Sequence, residues 1–418
     1  MRIILSLIFL LAGGCSSDQA GEQPGSGAGA ISRTMEISVQ TDWRNTEIYL
    51  QPGDQVKLSA SGSWSLEDGK ALYGPEGSMA TYQNCRYGEL VAQIGLHYYG
   101  RAICVGEGTV FTADAAGLLY LSSWAPWHTD RSLGEGSVTV LIEAEGVEAP
   151  TLAAAAIGGY DLQTLAAEEL EIAGEHVILT VSRAQLSEFQ QDAGGSLDAF
   201  ENFYQSHLSL AGAAPYNGHP IRYFPDADTR KLGPSAWMLS GNPIRVDPIA
   251  AYGGGFDGSN LLQSQNMANS VWGFVHEMGH DFTFINGGRY LIGGGPTEAW
   301  ANIFTLYTLE NLGYPEADQD HKCDDLPDFF LNGDYQTFKG DTWLPLCMFF
   351  ELKEVYGWRL FRDFFHDYNT MDRQTAPGKF AEDYIRWAWL TDEFTRLAGA
   401  DVSAVFLKYH VPLAPASP

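Results

Sequence analysis

Between Met35 and Glu145 the chain repeats short strand-like runs: Glu36-Ile-Ser-Val39, Val56-Lys-Leu-Ser-Ala60, Leu118-Leu-Tyr-Leu121 and Ser137-Val-Thr-Val-Leu-Ile142. Turn signals such as Pro52-Gly53-Asp54 and Gly134-Glu135-Gly136 separate them. Short strands with regular turns predict an all-β sandwich over residues 35–146. The texture then changes. Residues 147–172 are rich in Ala, Glu and Leu, and predict a linker followed by a short helix at Leu162–Leu170. Further on, Met267, Val271, Phe274 and Val275 recur at helical spacing, and Asn286-Gly287-Gly288 predicts the end of that helix. Thr297 to Glu310 predicts a second helix, with Pro296 suited to its first turn. A length of 418 residues accommodates two domains, the second spanning 173–418. There is no internal repeat and no heptad run.

Candidate chemistry concentrates in His276-Glu277-Met278-Gly279-His280. Positions i and i+4 of a helix share a face, so His276 and His280 can hold one metal ion together. Glu277 beside them is placed to take a proton from an attacking water. A catalytic zinc takes three protein ligands and keeps one position open. Glu298, 18 residues after His280 and in the first turn of the second helix, is the natural third ligand. The plainer alternative is an acidic residue complementing a helix N-terminus. Asn302 falls one turn later on the same face, where it can orient a ligand. These residues alone predict hydrolysis assisted by one zinc ion.

HEMGH followed by Gly294-Gly-Pro-Thr-Glu-Ala-Trp-Ala-Asn302 resembles the gluzincin pattern of the M60-like (enhancin-like) metallopeptidases. That family carries HExGH, a variable gap, and a helix-opening glutamate with an asparagine four residues on. Gly174–Val181, Leu239–Ile244, Phe349–Trp358 and Val402–Pro412 are similar to further elements of the same domain, so the resemblance covers about 170–415. It departs at Glu298-Ala-Trp-Ala-Asn302, where "EVTxN" is common, and at Asp281, where asparagine often stands. Neither departure removes a ligand. The resemblance implies an α+β gluzincin domain and endopeptidase action on glycoproteins, often mucin-like and O-glycosylated. Without it, a general gluzincin peptidase and a glycoprotein-binding surface adhesin are the alternatives.

The N-terminus bears on compartment. Met1-Arg2, an apolar run from Ile3 to Leu11 and Ala12-Gly-Gly-Cys15 form a signal peptide too short to span a bilayer. The small residues before Cys15 resemble a bacterial lipobox, which implies a lipidated Cys15; a plain secretory signal is the alternative. Residues 16–34 are Gly/Ser/Ala-rich and predict a flexible tether. The expectation is a lipoprotein of the bacterial outer membrane or cell surface, or else a secreted or periplasmic protein. Its only membrane contact would be the lipid. With Cys15 set aside, four cysteines remain, and proximity favours Cys85–Cys104 and Cys323–Cys347. Three pairings are open, and four buried thiols are the other alternative. Disulfides suit an exported protein. The net charge of −28 argues against nucleic acid and anionic membrane surfaces, which need basic patches. A monomer is expected.

The N-terminal segment also carries a resemblance. Ile48–Asp54, Ala60–Ser65, Tyr73–Gly77, Gly88–Gly95 and Gly136–Val140 together look like the PA-IL-like galactose-binding lectin fold. The oxygen ligands that family uses for calcium are mostly replaced here, by Ser122–Trp127 and Leu133-Gly134, so calcium is not expected. Trp124, Trp127, His128 and Asp130 could instead form a metal-free sugar platform, or pack against the catalytic domain. Oxyanion stabilisation would need a further donor. Tyr252, Tyr290 and His219 are the candidates, each with a core or loop role as the alternative, and Gly253-Gly254-Gly255 is a loop near them in sequence or a plain turn.

Overall fold

The computed structural model describes residues 30–415 apart from 68, 127, 128, 130, 233–237, 249–270, 315–322, 324, 325, 373, 374, 379 and 380. Cys15, Trp127, His128, Asp130, Tyr252, Met267 and Gly253–Gly255 therefore lie outside the described residues.

The N-terminal region is a two-sheet sandwich. Its strands are β1 (Ala30–Ser38), β2 (Arg44–Leu50), β3 (Gln55–Ser65), the small hairpin β4 (Thr81–Tyr82) and β5 (Cys85–Arg86), β6 (Leu90–Ile94), β7 (Ile103–Cys104), β8 (Gly108–Thr112), β9 (Gly117–Ser123), β10 (Glu135–Glu145) and β11 (Val147–Glu148). One sheet has the order β1-β10-β3-β8 and the other β11-β2-β9-β6-β7, all antiparallel. The first strand begins at Ala30, inside the residues expected to be tether. It pairs along its whole length with β10, from Ala30–Glu145 to Ser38–Ser137. The alternation seen in sequence is physical in β10: Val138, Val140, Ile142 and Ala144 point inward against Val56, Leu58 and Trp64.

The segment 147–172 is not a linker with a helix. Val147–Glu148 closes one sandwich sheet, and β12 (Leu152–Ala153) and β13 (Glu169–Ala173) open a six-stranded sheet with β14 (Val177–Ser182), β15 (Ile221–Pro225), β16 (Met238–Leu239) and β17 (Ile244–Val246). The sheet order is β12-β13-β14-β15-β17-β16, and residues 162–164 form a single 3₁₀ turn. Pairing with β14 overrides the helix propensity of Ala, Glu and Leu.

Helices follow: α1 (Arg183–Phe189), α2 (Ala193–Ala211), α3 (Trp272–Thr283), α4 (Gly295–Leu312), α5 (Leu326–Asn332), α6 (Tyr335–Gly340), α7 (Leu344–Tyr356), α8 (Trp358–Thr370), α9 (Asp383–Ala398) and α10 (Ser403–Lys408). The second region is thus α+β. Its core is aromatic, with Trp300 packed among Phe349, Phe361, Phe364, Phe365 and Phe394. No helix among the described residues is long and apolar enough to cross a membrane. Two disulfides form, Cys85–Cys104 and Cys323–Cys347, as nearest-neighbour pairing anticipates.

The two regions share one core. Tyr49, Leu96, Leu118 and Tyr120 of the sandwich pack with Leu170, Ile172, Tyr223 and Phe224 of the second sheet. A buried polar knot fastens the join. Tyr120 donates to Glu171 Oε1 at 2.8 Å, Arg222 Nε donates to the same oxygen at 2.6 Å, and a second Arg222 nitrogen donates to the Trp43 carbonyl at 3.1 Å.

Candidate active site

The HEMGH segment lies on α3, and Glu298 in the first turn of α4. Two glycines let these elements come together. A Cβ on Gly279 would stand 2.8 Å from the Ala301 carbonyl oxygen, so a side chain there would push the two helices apart. A Cβ on Gly295 would collide with the Asp341 carbonyl, which tucks the start of α4 against residues 339–341.

His276 Nε2 lies 3.1 Å from Glu298 Oε2, and His280 Nε2 lies 3.4 Å from the same oxygen. The three donor atoms all lie within 4.8 Å of one another. A tetrahedral zinc with bonds of about 2.0–2.1 Å separates its ligand atoms by about 3.3 Å. Two imidazole nitrogens and one carboxylate oxygen at this spacing fit such an ion. Asn302 Oδ1 stands 2.7 Å from His276 Nδ1. It accepts the Nδ1 proton, which leaves Nε2 as the nitrogen that can serve a metal ion. Burial opposes ionisation of Glu298, but the two histidines outweigh it and hold the carboxyl well below the usual range.

The surroundings hold α3 in place. His207 on α2 is buried and pushed down to about 3 by burial, so it is neutral. Its Nδ1 lies 2.9 Å from both the Thr308 hydroxyl and the Phe203 carbonyl, and its Nε2 lies 3.1 Å from the Val275 carbonyl, just before His276. Asp281 lies four residues beyond Glu277, on the same helix face. It accepts from the Tyr216 hydroxyl at 2.8 Å and the Gly241 N–H at 2.9 Å, which ties α3 to the loop before β17. Burial outweighs both hydrogen bonds and keeps this carboxyl well above its usual range. Sequence reasoning missed Tyr216 and the Glu277–Asp281 alignment; the i, i+4 spacing of the two acids was the available signal.

The model of the peptidase M60, enhancin and enhancin-like family matches residues 160–409, more than half of the chain. The chain belongs to that family. A TRPM8 channel-associated factor homolog from Xenopus laevis is 25% identical over 259 residues, which is 56% of this chain and 27% of that protein. The chain thus spans about a quarter of the length of that relative. Among solved structures, a mutant of a functionally unknown conserved protein from Bacillus anthracis superposes with a TM-score of 0.62 at 16% identity, covering 91% of this chain and 76% of the other. A metallopeptidase in complex with Tn antigen gives 0.57 at 14%, covering 91% and 68%. The M60 catalytic domain of ZmpC from Clostridium perfringens, in complex with the sialyl T antigen, gives 0.51 at 11%, covering 92% and 78%. At these identities the structures show a shared M60 fold. A metallopeptidase family implies a metal, and the His276, His280 and Glu298 group is where this M60 chain can hold one.

Other anticipated residues are placed differently. Tyr290 is buried in the aromatic core and donates to the Thr283 carbonyl at 3.2 Å, so it does not reach the metal-ligand group. His219 follows a 3₁₀ turn at Pro215–Gly218 and makes no hydrogen bond to that group. Trp124 spends its indole N–H on the Tyr82 carbonyl at 2.7 Å and packs beside the Cys85–Cys104 bridge within its own domain. Its ring is half-buried there.

Proposed function

We propose that this M60 protein is a zinc-dependent endopeptidase that cuts glycoproteins of the O-glycosylated, mucin-like kind. The carrying observation is the convergence of His276 Nε2 and His280 Nε2 of α3 with Glu298 Oε2 of α4, Glu277 following His276 on α3. Bound there, zinc supplies Lewis-acid polarisation of the scissile carbonyl and lowers the pKa of a water toward about 7. Glu277 takes the proton of the attacking water and delivers it to the leaving nitrogen. Asn302 holds His276 in the tautomer that keeps Nε2 free. The glycoprotein assignment draws support from the two structural neighbours bound to Tn and sialyl T antigens. We further propose export with lipidation at Cys15, supported by the N-terminal pattern and by two disulfides.

The test is digestion of an O-glycosylated mucin by the purified chain and by Glu277→Gln, with the mucin intact or enzymatically deglycosylated. The expected outcome is cleavage of intact mucin only, slowed about 10²–10⁴-fold or more in Glu277→Gln. Equal cleavage of deglycosylated mucin would make the protein a general peptidase. Retention of mucin on a column with no cleavage would make it an adhesin.

A further inference from the structure

The loop between β6 and β7 crosses to the second domain and is fastened there. Gly100 N–H donates to the His97 carbonyl at 2.9 Å, closing a tight turn with Tyr98 and Tyr99 at its centre. Asp226, wholly buried in the second domain, takes the Tyr98 N–H at 2.7 Å and contacts His97 Nδ1 at 3.1 Å. Arg245 on β17 donates to the Leu96 carbonyl at 2.7 Å. The backbone of the turn is therefore held from both domains.

The side chains are not used for that fastening. Tyr98 and Tyr99 are 47% and 53% exposed, and neither hydroxyl makes a hydrogen bond among the described residues. Their rings meet edge to face, with centroids 5.0 Å apart and planes at 83°. Arg245 lies 5.9 Å from the Tyr98 centroid and Lys231 lies 5.6 Å from that of Tyr99, bracing each ring on one side. The result is a right-angled aromatic corner flanked by two cations.

We propose that this corner binds a neutral pyranose ring of the substrate's glycan. Neither ring fastens the turn, whose backbone is secured by three hydrogen bonds with the His97–Asp226 side-chain contact beside them. The electron-rich ring faces suit the C–H face of a sugar, and the free hydroxyls suit its polar edge. The open aromatic area is on the order of 200 Å², half of what two tyrosines can bury. That matches one or two sugar rings and falls far short of the roughly 800 Å² per side of a stable protein interface. Arg245, beside the Tyr98 ring, pairs with Leu239 of the edge strand β16, and that strand packs against α3. The ligand class rests on the glycoprotein reading above; the site itself rests on the turn.

The experiment uses the full chain and an immobilised panel of neutral mono- to tetrasaccharides of galactose, N-acetylgalactosamine and N-acetylglucosamine, with calorimetric titration of any sugar retained. The double variant Tyr98→Ala/Tyr99→Ala is expected to weaken binding about tenfold or more. Tyr98→Phe/Tyr99→Phe should keep most of it, with the melting temperature unchanged in both. Equal affinity in the alanine variant would overturn the proposal. So would an unliganded panel in a protein that still cleaves glycosylated mucin, which would leave the peptidase reading intact. Retained sugar binding lost in the alanine variant, in a protein that cleaves nothing, would sustain this site and defeat the peptidase reading. Concentration-dependent dimers abolished by the alanine variant, without sugar binding, would assign the corner to self-association instead.

Discussion

Strands β9 and β10 belong to facing sheets of one sandwich, yet they are buried in different ways. In β10 inward and outward positions alternate, with Leu141 on the outer face 37% exposed. In β9 every residue from Gly117 to Ser123 is buried. Leu119 and Leu121 fill the sandwich, while Leu118 and Tyr120 enter the core of the peptidase domain. The outer sheet meets water and the inner sheet meets another domain. The sandwich is thus welded to the peptidase domain, and the weld contains both an apolar face and the Tyr120–Glu171–Arg222 knot.

The contrast can be broken most strongly at the knot. Glu171→Ala leaves Arg222 buried without its carboxylate, and should cost about 3–5 kcal/mol. Chemical denaturation followed by tryptophan fluorescence would show it, and a change below 1 kcal/mol would mean that the knot is not desolvated in solution. A paired comparison comes next. Leu118→Ala on the inner face should cost about 2–5 kcal/mol. Leu141→Ala on the outer face should stay within about 0.5 kcal/mol. Similar losses at the two positions would contradict the two-sided burial of β9.

The smallest effect is expected from pH. Hydrogen bonding to Asp226 raises the His97 pKa against the opposing pull of burial. Its contribution is full below the unfolded imidazole value of about 6.5 and fades as pH rises through the raised folded value. Burial pushes Asp226 up, but hydrogen bonds from His97, Tyr98 N–H and Asp228 N–H hold it below its ordinary value. Its contribution is present above about pH 3.9 and is lost only as pH falls through the depressed folded value. The junction should therefore be firmest between about pH 4 and 6.5 and loosen above neutrality. Melting temperature against pH should show a falling limb above pH 6.5 that His97→Gln flattens; an unchanged limb would remove His97 as its cause.

The metal-ligand group was legible because its logic is local. Helical geometry puts His276 and His280 on one face, and Glu298 and Asn302 sit one turn apart at the start of the next helix. The sandwich was legible because β3 and β10 alternate by residue type. The helix expected at Leu162–Leu170 misled because Ala, Glu and Leu favour helices, and at Glu171 just beyond it a charged residue is expected outside. Glu171 is inside only because Arg222 and Tyr120 meet it there, 51 residues away on either side. Tyr290 and Trp124 each left two readings open for a related reason: an aromatic residue with a polar tip looks the same in sequence whether it lines a cleft or fills a core. Tyr98 and Tyr99 were passed over because exposure at a turn depends on what the turn leans against.

By itself the sequence determined the helix that carries His276, Glu277 and His280, the place of Glu298 one helix later, and the strand periodicity of the outer sheet. These depend on bonds and spacings within a few residues. Only the tertiary structure decided which face of β9 meets the peptidase domain, that Glu171 is buried, and that the Tyr98–Tyr99 corner stays open. Each of those is settled by which distant surfaces pack together, where burial and pairing of groups far apart in sequence outweigh local preference.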